Sequence, residues 1–195
     1  MGARPSDREV VDEVLEGKRE RFRVLLERYE RYLFSIVSRH VPQEYVEEVA
    51  QEAAVQLYLS LPGFKGNTDG EFKGWLASVT VRAAYSFWRE RYKKREVTMD
   101  SLGEEQKRWV EQATYEESEE RFQEMARQEE ARQVLYWAMD RLSPEERMVL
   151  QLTHLEGHPV KEAARLLGWS TAKAKVRSFR ARRKLRGILK GLVEV

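Results

Sequence analysis

The chain has 195 residues, of which 42% are hydrophobic and 35% are charged, and its formal net charge is only +2. It contains no cysteine, which excludes disulfides and thiolate zinc sites, and no apolar run approaches the ~18 residues of a membrane span. The polar stretch over residues 1–13 lacks a signal-peptide core, so the sequence predicts a cytoplasmic protein whose local charge pattern matters more than its total charge.

The first predicted domain covers residues 10–96 and is built from helices. Apolar residues recur at steps of three and four over about residues 19–40, which predicts an amphipathic helix that ends before Pro42. The next helix has an apolar stripe made of Val46, Val49, Ala50, Ala53, Leu57 and Leu61. A loop rich in turn formers at residues 62–71 precedes a third helix at about residues 72–94. Its predicted core face carries Phe72, Trp75, Leu76, Val79 and Ala83.

An acidic segment follows this domain, and we assign residues 97–129 to a linker. Residues 100–130 include 11 acidic and 4 basic side chains, a net charge of −7, and few aliphatic residues. Such a composition cannot bury enough apolar surface to form a core, so the pattern indicates a tether.

The second predicted domain covers residues 130–195, and a helix start lies inside it. Ser143 can cap this helix, Pro144 suits its first position, and Glu146 completes a capping box. Gly157 is a plausible left-handed residue at its end. The fold class is therefore predicted to be all-α, with two small helical domains joined by an acidic linker.

A helix-turn-helix is predicted after Pro159, with the turn at Gly168 and a final helix capped by Ser170 or Thr171 and reaching about Lys190. Small residues and one leucine form the inner face of the final helix: Ala174, Ser178, Ala181 and Leu185. The opposite face is basic, with Lys173, Arg177, Arg180 and Lys184. Residues 160–190 hold 11 basic residues and 1 acidic one, which is typical of phosphate binding. The alternative is a solvated basic helix with no nucleic-acid role.

The end of the third helix is a second basic segment, since residues 82–95 carry a net charge of +5. Tyr85, Trp88 and Tyr92 are interleaved with the cations, and we place them off the core stripe. Aromatic rings among cations bind unstacked bases, and the neighbouring loop at residues 64–67 could receive an extruded base. Alternatively, the rings pack against the first helix. The second helix carries an acidic face formed by Glu47, Glu48, Gln51 and Glu52. The alternative is that this face is only a solvated surface with no partner.

Four segments together resemble the extracytoplasmic function (ECF) sigma factors of bacterial RNA polymerase. They read FRVLLERYERYLFSIVSRHVP, EEVAQEAAVQLY, FKGWLASVTVRAAYSFWRERYKKR and LSPEERMVLQLTHLEGHPVKEAARLLGWSTAKAKVRSFRARRKLR. The resemblance implies a non-enzymatic subunit that binds core polymerase, recognises the −10 and −35 promoter elements and promotes transcription initiation. The implied partners are the β′ clamp and β flap of core RNA polymerase, promoter DNA and an anti-sigma factor. No catalytic residue, cofactor, metal or membrane insertion is implied.

The resemblance also implies roles for particular residues. Docking on the β′ clamp would use Glu48, Gln51 and Glu52. Binding of the −10 element would use Phe64, Lys65, Asn67, Arg82, Tyr85, Arg89 and Lys93. Recognition of the −35 element would use Lys173, Lys175, Val176, Arg177, Phe179 and Arg180. The chain departs from the family pattern at Tyr45, Arg82, Pro159 and Lys173, where the family often has an acid, Asn, Ser and Thr.

Two rival functions remain open from the sequence. A helix-turn-helix regulator with an N-terminal sensor domain would bind DNA alone as a dimer, but it would not require the acidic helix or the basic aromatic helix. A metal enzyme could use His154 and His158 as ligands, since they are four residues apart. However, Gly157 between them and Pro159 after His158 interrupt the helix that would place them on one face.

Overall fold

The computed structural model describes residues 4–98 and 131–193, and these parts consist of helices and turns. The predicted all-α class is confirmed. The first half contains α1 (Asp7–Leu15), α2 (Phe22–His40), α3 (Val46–Ser60) and α4 (Asp69–Thr98). The second half contains α5 (residues 131–139), α6 (Pro144–Leu150), α7 (Val160–Leu167) and α8 (Thr171–Val193). The predicted domain limits at residues 10–96, 97–129 and 130–195 stay predictions, and most of the acidic linker lies outside the described residues.

Helix α1 was not predicted from the sequence. Ser6 caps it and Glu9 completes a capping box, while Val10, Val11 and Val14 are buried. The Asp7 carboxylate is fully buried and accepts hydrogen bonds from Arg28 and the Tyr29 hydroxyl. A buried carboxylate is tolerated when it is paired and hydrogen-bonded, so these contacts fix α1 on α2. Burial and the Asp7 carboxylate raise the pKa of Tyr29 above its ordinary value.

Helices α2, α3 and α4 pack around one core. The predicted apolar stripe is confirmed, because Val46, Val49, Ala50, Ala53 and Leu57 of α3 and Leu61 directly after it are all buried. Helix α4 begins at Asp69, earlier than predicted, because Thr68 and Glu71 form a cap. The Thr68 hydroxyl accepts from the Glu71 amide at 3.2 Å, and the Glu71 carboxylate accepts from the Asn67 and Thr68 amides at 2.9 and 3.1 Å. These hydrogen bonds lower the pKa of Glu71.

The second half contains the predicted helix-turn-helix. The Ser143 capping box is present, and α6 continues into a π-helical turn over Gln151–Leu155. Gly168 ends α7 with a φ of +70°, a left-handed conformation that glycine adopts without steric cost. The Trp169 amide donates to the Ala164 carbonyl at 2.8 Å, and the fully buried Ala174 lies on the inner side of α8. The turn between α7 and α8 is thereby fixed.

Candidate nucleic-acid interface

One exposed face of α3 is acidic and apolar. Glu48, Gln51 and Glu52 are all exposed, as the sequence predicted. Two apolar side chains extend this face along the helix, Val55 at 52% and Leu59 at 64% exposure. Negative charge repels the DNA backbone, while exposed apolar residues favour contact with protein, so this face fits a protein partner.

Tyr45 connects the start of α3 to α4. Its ring packs against Phe87 with centroids 5.0 Å apart, and the Arg91 guanidinium lies 4.9 Å from its centroid. The Tyr45 hydroxyl also accepts a hydrogen bond from Arg91 at 2.9 Å. The departure from the family pattern at Tyr45 therefore orients a cation of the basic segment.

The loop between α3 and α4 has a buried anchor and an exposed edge. Phe64 is only 6% exposed, and its ring packs against Phe72 and Trp75 at centroid distances of 5.2 and 5.3 Å. A Cβ on Gly66 would lie 2.5 Å from the Phe64 ring, so this position requires glycine. Lys65 and Asn67 are exposed. The loop thus directs Phe64 into the core and leaves Lys65 and Asn67 for a ligand.

An open cleft lies beside this loop. Its lining comprises Phe64, Lys65, Gly66, Gly70, Glu71, Gly74, Trp75, Ser78, Arg82 and Arg165. The aromatic rings of Phe64 and Trp75 can stack on an unstacked base, and the cations Lys65, Arg82 and Arg165 can bind its phosphate. Arg165 comes from α7, so the second half of the chain contributes one side of the cleft.

The basic segment of α4 is exposed at Arg82, Arg89 and Lys93. The prediction that its aromatic rings lie off the core is wrong for Trp88, which is 8% exposed and donates a hydrogen bond to the His40 carbonyl at 2.8 Å. The Trp88 ring lies beneath the Arg147 guanidinium, 3.7 Å from its centroid, and this cation from α6 covers it. Sequence periodicity missed this burial because the covering residue lies 59 positions away.

Tyr85 is half-buried against the second half of the chain. Its ring meets Trp169 edge to face, with centroids 5.9 Å apart, and burial raises the pKa of its hydroxyl. Nearby, the Arg165 guanidinium donates to the Ser78 hydroxyl at 3.2 Å and to the Gly74 carbonyl at 3.4 Å. In this arrangement, Tyr85 is covered on the surface where a −10 base was expected to bind.

A second group of contacts joins the end of α2 to the π-helical turn. The Gln151 amide donates to the Arg39 carbonyl, and His40 Nε2 lies 3.1 Å from a carboxylate oxygen of Glu156. His40 is 2% exposed, and burial lowers its pKa despite the nearby carboxylate. We name these contacts, together with the Tyr85–Trp169 and Arg165–Ser78 pairs, the interhalf interface.

Helix α8 has a buried side and an exposed basic side. Ala174 and Ala181 are fully buried, and Ser178 is 5% exposed, which confirms the predicted small-residue inner face. The Ser170 hydroxyl accepts from the Lys173 amide at 3.2 Å, as predicted for a cap. The predicted recognition residues other than Arg177 are exposed: Lys173, Lys175, Val176, Phe179 and Arg180. Arg177 is half-buried.

The histidines pair with local groups. His154 Nδ1 lies 2.7 Å from the Thr153 hydroxyl, and His158 lies 3.4 Å from Glu162. Among residues 4–98 and 131–193, no group of three or more His, Asp or Glu residues is arranged to hold a metal. In the same residues, no helix combines the length and the low polarity that crossing a bilayer requires.

Two family models match the chain. The model described as "Sigma-70 region 2" matches residues 25–94, which include the acidic face of α3, the loop and most of α4. The model described as "Sigma-70, region 4" matches residues 132–185, which include the helix-turn-helix. Together they match more than half of the chain.

Curated relatives match over most of their own length. The ECF RNA polymerase sigma-E factor of Escherichia coli strain K12 is 28% identical over 182 residues, which are 93% of each chain. The protein of the same name from Haemophilus influenzae is 23% identical over 93% of this chain and 94% of its own. The solved structure of CnrH in complex with the cytosolic domain of CnrY is similar in fold, with a TM-score of 0.50, 23% identity and coverage of 96% and 99%. The chain therefore belongs to the sigma-70 family and is an ECF RNA polymerase sigma factor.

Proposed function

We propose that this sigma factor guides core polymerase to promoters through three surfaces. The exposed face of α3 docks on the β′ clamp, the loop and basic segment of α4 bind the −10 element, and α8 recognises the −35 element. The observation that supports this assignment best is α8 itself, whose small side chains are buried while Lys173, Lys175 and Arg180 face solvent. An α-helix fits the DNA major groove, where Arg and Lys reach guanine edges.

Run-off transcription on genomic DNA tests this function directly. Core polymerase with the chain should start RNA synthesis at defined sites that core polymerase alone does not use, and the aligned starts should share −10 and −35 sequences. A regulator would instead bind DNA tightly as a dimer without core polymerase. Specific binding by the free dimer, with no new start sites, would support that rival.

The polymerase contact can be separated from the DNA contacts. We predict that Glu48→Lys combined with Gln51→Ala weakens binding to core polymerase at least tenfold, because removing one partner of an interfacial charge pair costs about 2–5 kcal/mol. Both residues are exposed, so the free energy of unfolding should change by less than about 0.5 kcal/mol. Glu30→Lys on α2 is the matched control. Core affinity equal to that of the parent in the double variant contradicts the docking assignment.

The −10 contacts at Tyr85 require the interhalf interface to separate, since Trp169 covers this ring. We predict that Trp169→Ala with Arg165→Ala increases the fraction of free chains whose halves are apart, because both substitutions remove contacts across the interface. The chain has no cysteine, so dyes placed on Glu30→Cys and Lys161→Cys, both exposed, report one distance by energy transfer. Transfer should fall in the double variant and, in the parent, on addition of core polymerase. Unchanged transfer in both cases would show that the halves stay together.

Further surfaces would meet other parts of the transcription machinery. An apolar groove with a basic rim is proposed to contact the β flap. Its apolar lining is Leu135, Met139, Leu150, Leu155, Leu185 and Leu189, and its rim is Arg182, Arg186 and Lys190. An anti-sigma factor is proposed as the controlling partner, as the ECF group implies. The chain would act without chemistry of its own, in the cytoplasm, where polymerase and promoters meet.

A further inference from the structure

Helix α1 contacts the loop between α3 and α4 as well as α2. The Arg8 guanidinium donates to the Gly66 carbonyl at 3.4 Å, while the Asp12 carboxylate accepts from the same guanidinium at 2.6 and 2.9 Å. This bidentate pair fixes the direction of the guanidinium. Gly66 lies between Lys65 and Asn67, the two exposed loop residues assigned to the −10 element. Arg8 therefore holds the backbone of the loop at its exposed edge.

A second set of contacts joins α1 to the start of α4. The Asp7 amide donates to a carboxylate oxygen of Asp69, the first residue of α4, at 2.8 Å. The buried Asp7 carboxylate accepts from the Tyr29 hydroxyl, and the Tyr29 ring packs against Phe72 with centroids 5.4 Å apart. Phe72 in turn contacts Phe64, the buried anchor of the loop. Helix α1 thus supports the loop from its buried side and from the helix that follows it.

The attachment of α1 to the core does not depend on these loop contacts. Val10, Val11 and Val14 bury its apolar side, whereas Arg8 is partly exposed and Asp69 is exposed. Changing either polar side chain should therefore leave α1 in place. A loop that receives a base binds best when its polar groups are already held in position, because binding then orders fewer groups.

We propose that α1 positions the loop for promoter melting, with Arg8 holding the Gly66 carbonyl and Asp69 tying the start of α4 to the Asp7 amide. The inference rests on the proposed function of the loop and extends it to a helix outside the surfaces assigned to DNA and polymerase. Arg8 and Asp69 are positioning residues, since they act through the loop and not on the base.

Arg8→Ala tests the proposal in holoenzyme, on a promoter mapped by run-off transcription. At equal occupancy of the closed complex, permanganate reactivity of the −10 thymines should fall about three- to tenfold, the factor that one lost hydrogen bond carries. Affinity for core polymerase should equal that of the parent, and the midpoint of thermal unfolding should stay within about 2 °C of it. Arg23→Ala is the matched control, because Arg23 pairs with Glu27 four residues along α2. It should leave thymine reactivity at the parental value.

Asp69 provides a second variant with its own rescue. Asp69→Ala removes the acceptor for the Asp7 amide and should lower thymine reactivity as Arg8→Ala does. Asp69→Asn keeps an acceptor oxygen on the side chain and should restore the parental value. If Asp69→Asn melts the promoter as poorly as Asp69→Ala, charge and not the hydrogen bond is responsible, and the positioning role of Asp69 is wrong.

Two further results would overturn the proposal. If Asn67→Ala lowers thymine reactivity while Arg8→Ala and Asp69→Ala do not, the loop acts in melting without support from α1. If Arg8→Ala lowers the salt slope of closed-complex binding by about one unit, Arg8 binds a DNA phosphate directly and does not act through Gly66. Parental reactivity in all three variants would contradict both the proposal and the proposed function of the loop.

Discussion

Phe64→Ala is expected to lower the free energy of unfolding by about 3–5 kcal/mol, the usual cost of removing a buried aromatic side chain. The Phe64 ring packs against Phe72 and Trp75 and is 6% exposed, so its loss leaves a cavity beneath the loop. Gly66 lies directly against the same ring and loses its support. Urea unfolding followed by circular dichroism measures the effect. A loss below about 1 kcal/mol would show that the ring does not anchor the loop.

Asn67→Ala is the matched variant for the other side of this loop. Asn67 is exposed, and only its backbone amide bonds to Glu71, so stability should remain within about 0.5 kcal/mol of the parent. If Asn67 contacts an extruded base, open-complex formation should fall far more than closed-complex binding. Permanganate reactivity of −10 thymines reports this step. Unchanged thymine reactivity in Asn67→Ala would show that the loop has no role in promoter melting, whatever the stability of the Phe64→Ala variant.

Arg180→Ala is expected to change the −35 sequence preference of the holoenzyme. Arg180 is exposed beside Val176 and Phe179, where a bidentate contact with a base is worth roughly 1–3 kcal/mol. Arg177 is half-buried and interacts electrostatically with Tyr85, so it lies toward the interhalf interface. Arg177→Ala should lower activity on all promoters alike and reduce the salt slope of binding by about one unit, as loss of a phosphate contact does.

In vitro transcription across a −35 library separates the two arginines. If Arg180→Ala relaxes the sequence preference at one position, Arg180 reads a base. If Arg177→Ala lowers transcription uniformly across the library, Arg177 binds a phosphate. Arg31→Ala, an exposed position on α2, is the control for a general loss of positive charge. Parental preference and parental yield in both arginine variants would mean that α8 does not read the −35 element.

Local chemistry made most helices predictable. The capping box at Ser143, the left-handed Gly168 and the small inner face of α8 are short-range signals, and each is present in the structure. Helix α1 had an equally local signal in the capping box of Ser6 and Glu9, but its charged surroundings concealed the apolar run that follows.

The candidate site was harder to predict because side-chain direction depends on distant residues. Arg147 lies over the ring of Trp88, and Trp169 meets the ring of Tyr85. Sequence periodicity describes one helix at a time and cannot identify which face a second domain covers. The same reason explains Phe64, whose inward direction depends on Phe72 and Trp75 of the following helix.

The interhalf interface has a consequence for the order in which a transcription complex assembles. Where a ligand binds only molecules whose halves are apart, its apparent affinity is its intrinsic affinity multiplied by the fraction of such molecules. If about one molecule in a hundred is open, the free chain binds a promoter about a hundredfold more weakly than the same chain held open on polymerase. Contacts such as that of Trp169 with Tyr85 would then set the order of binding. The chain would bind core polymerase first, and the free sigma factor would not occupy promoters on its own.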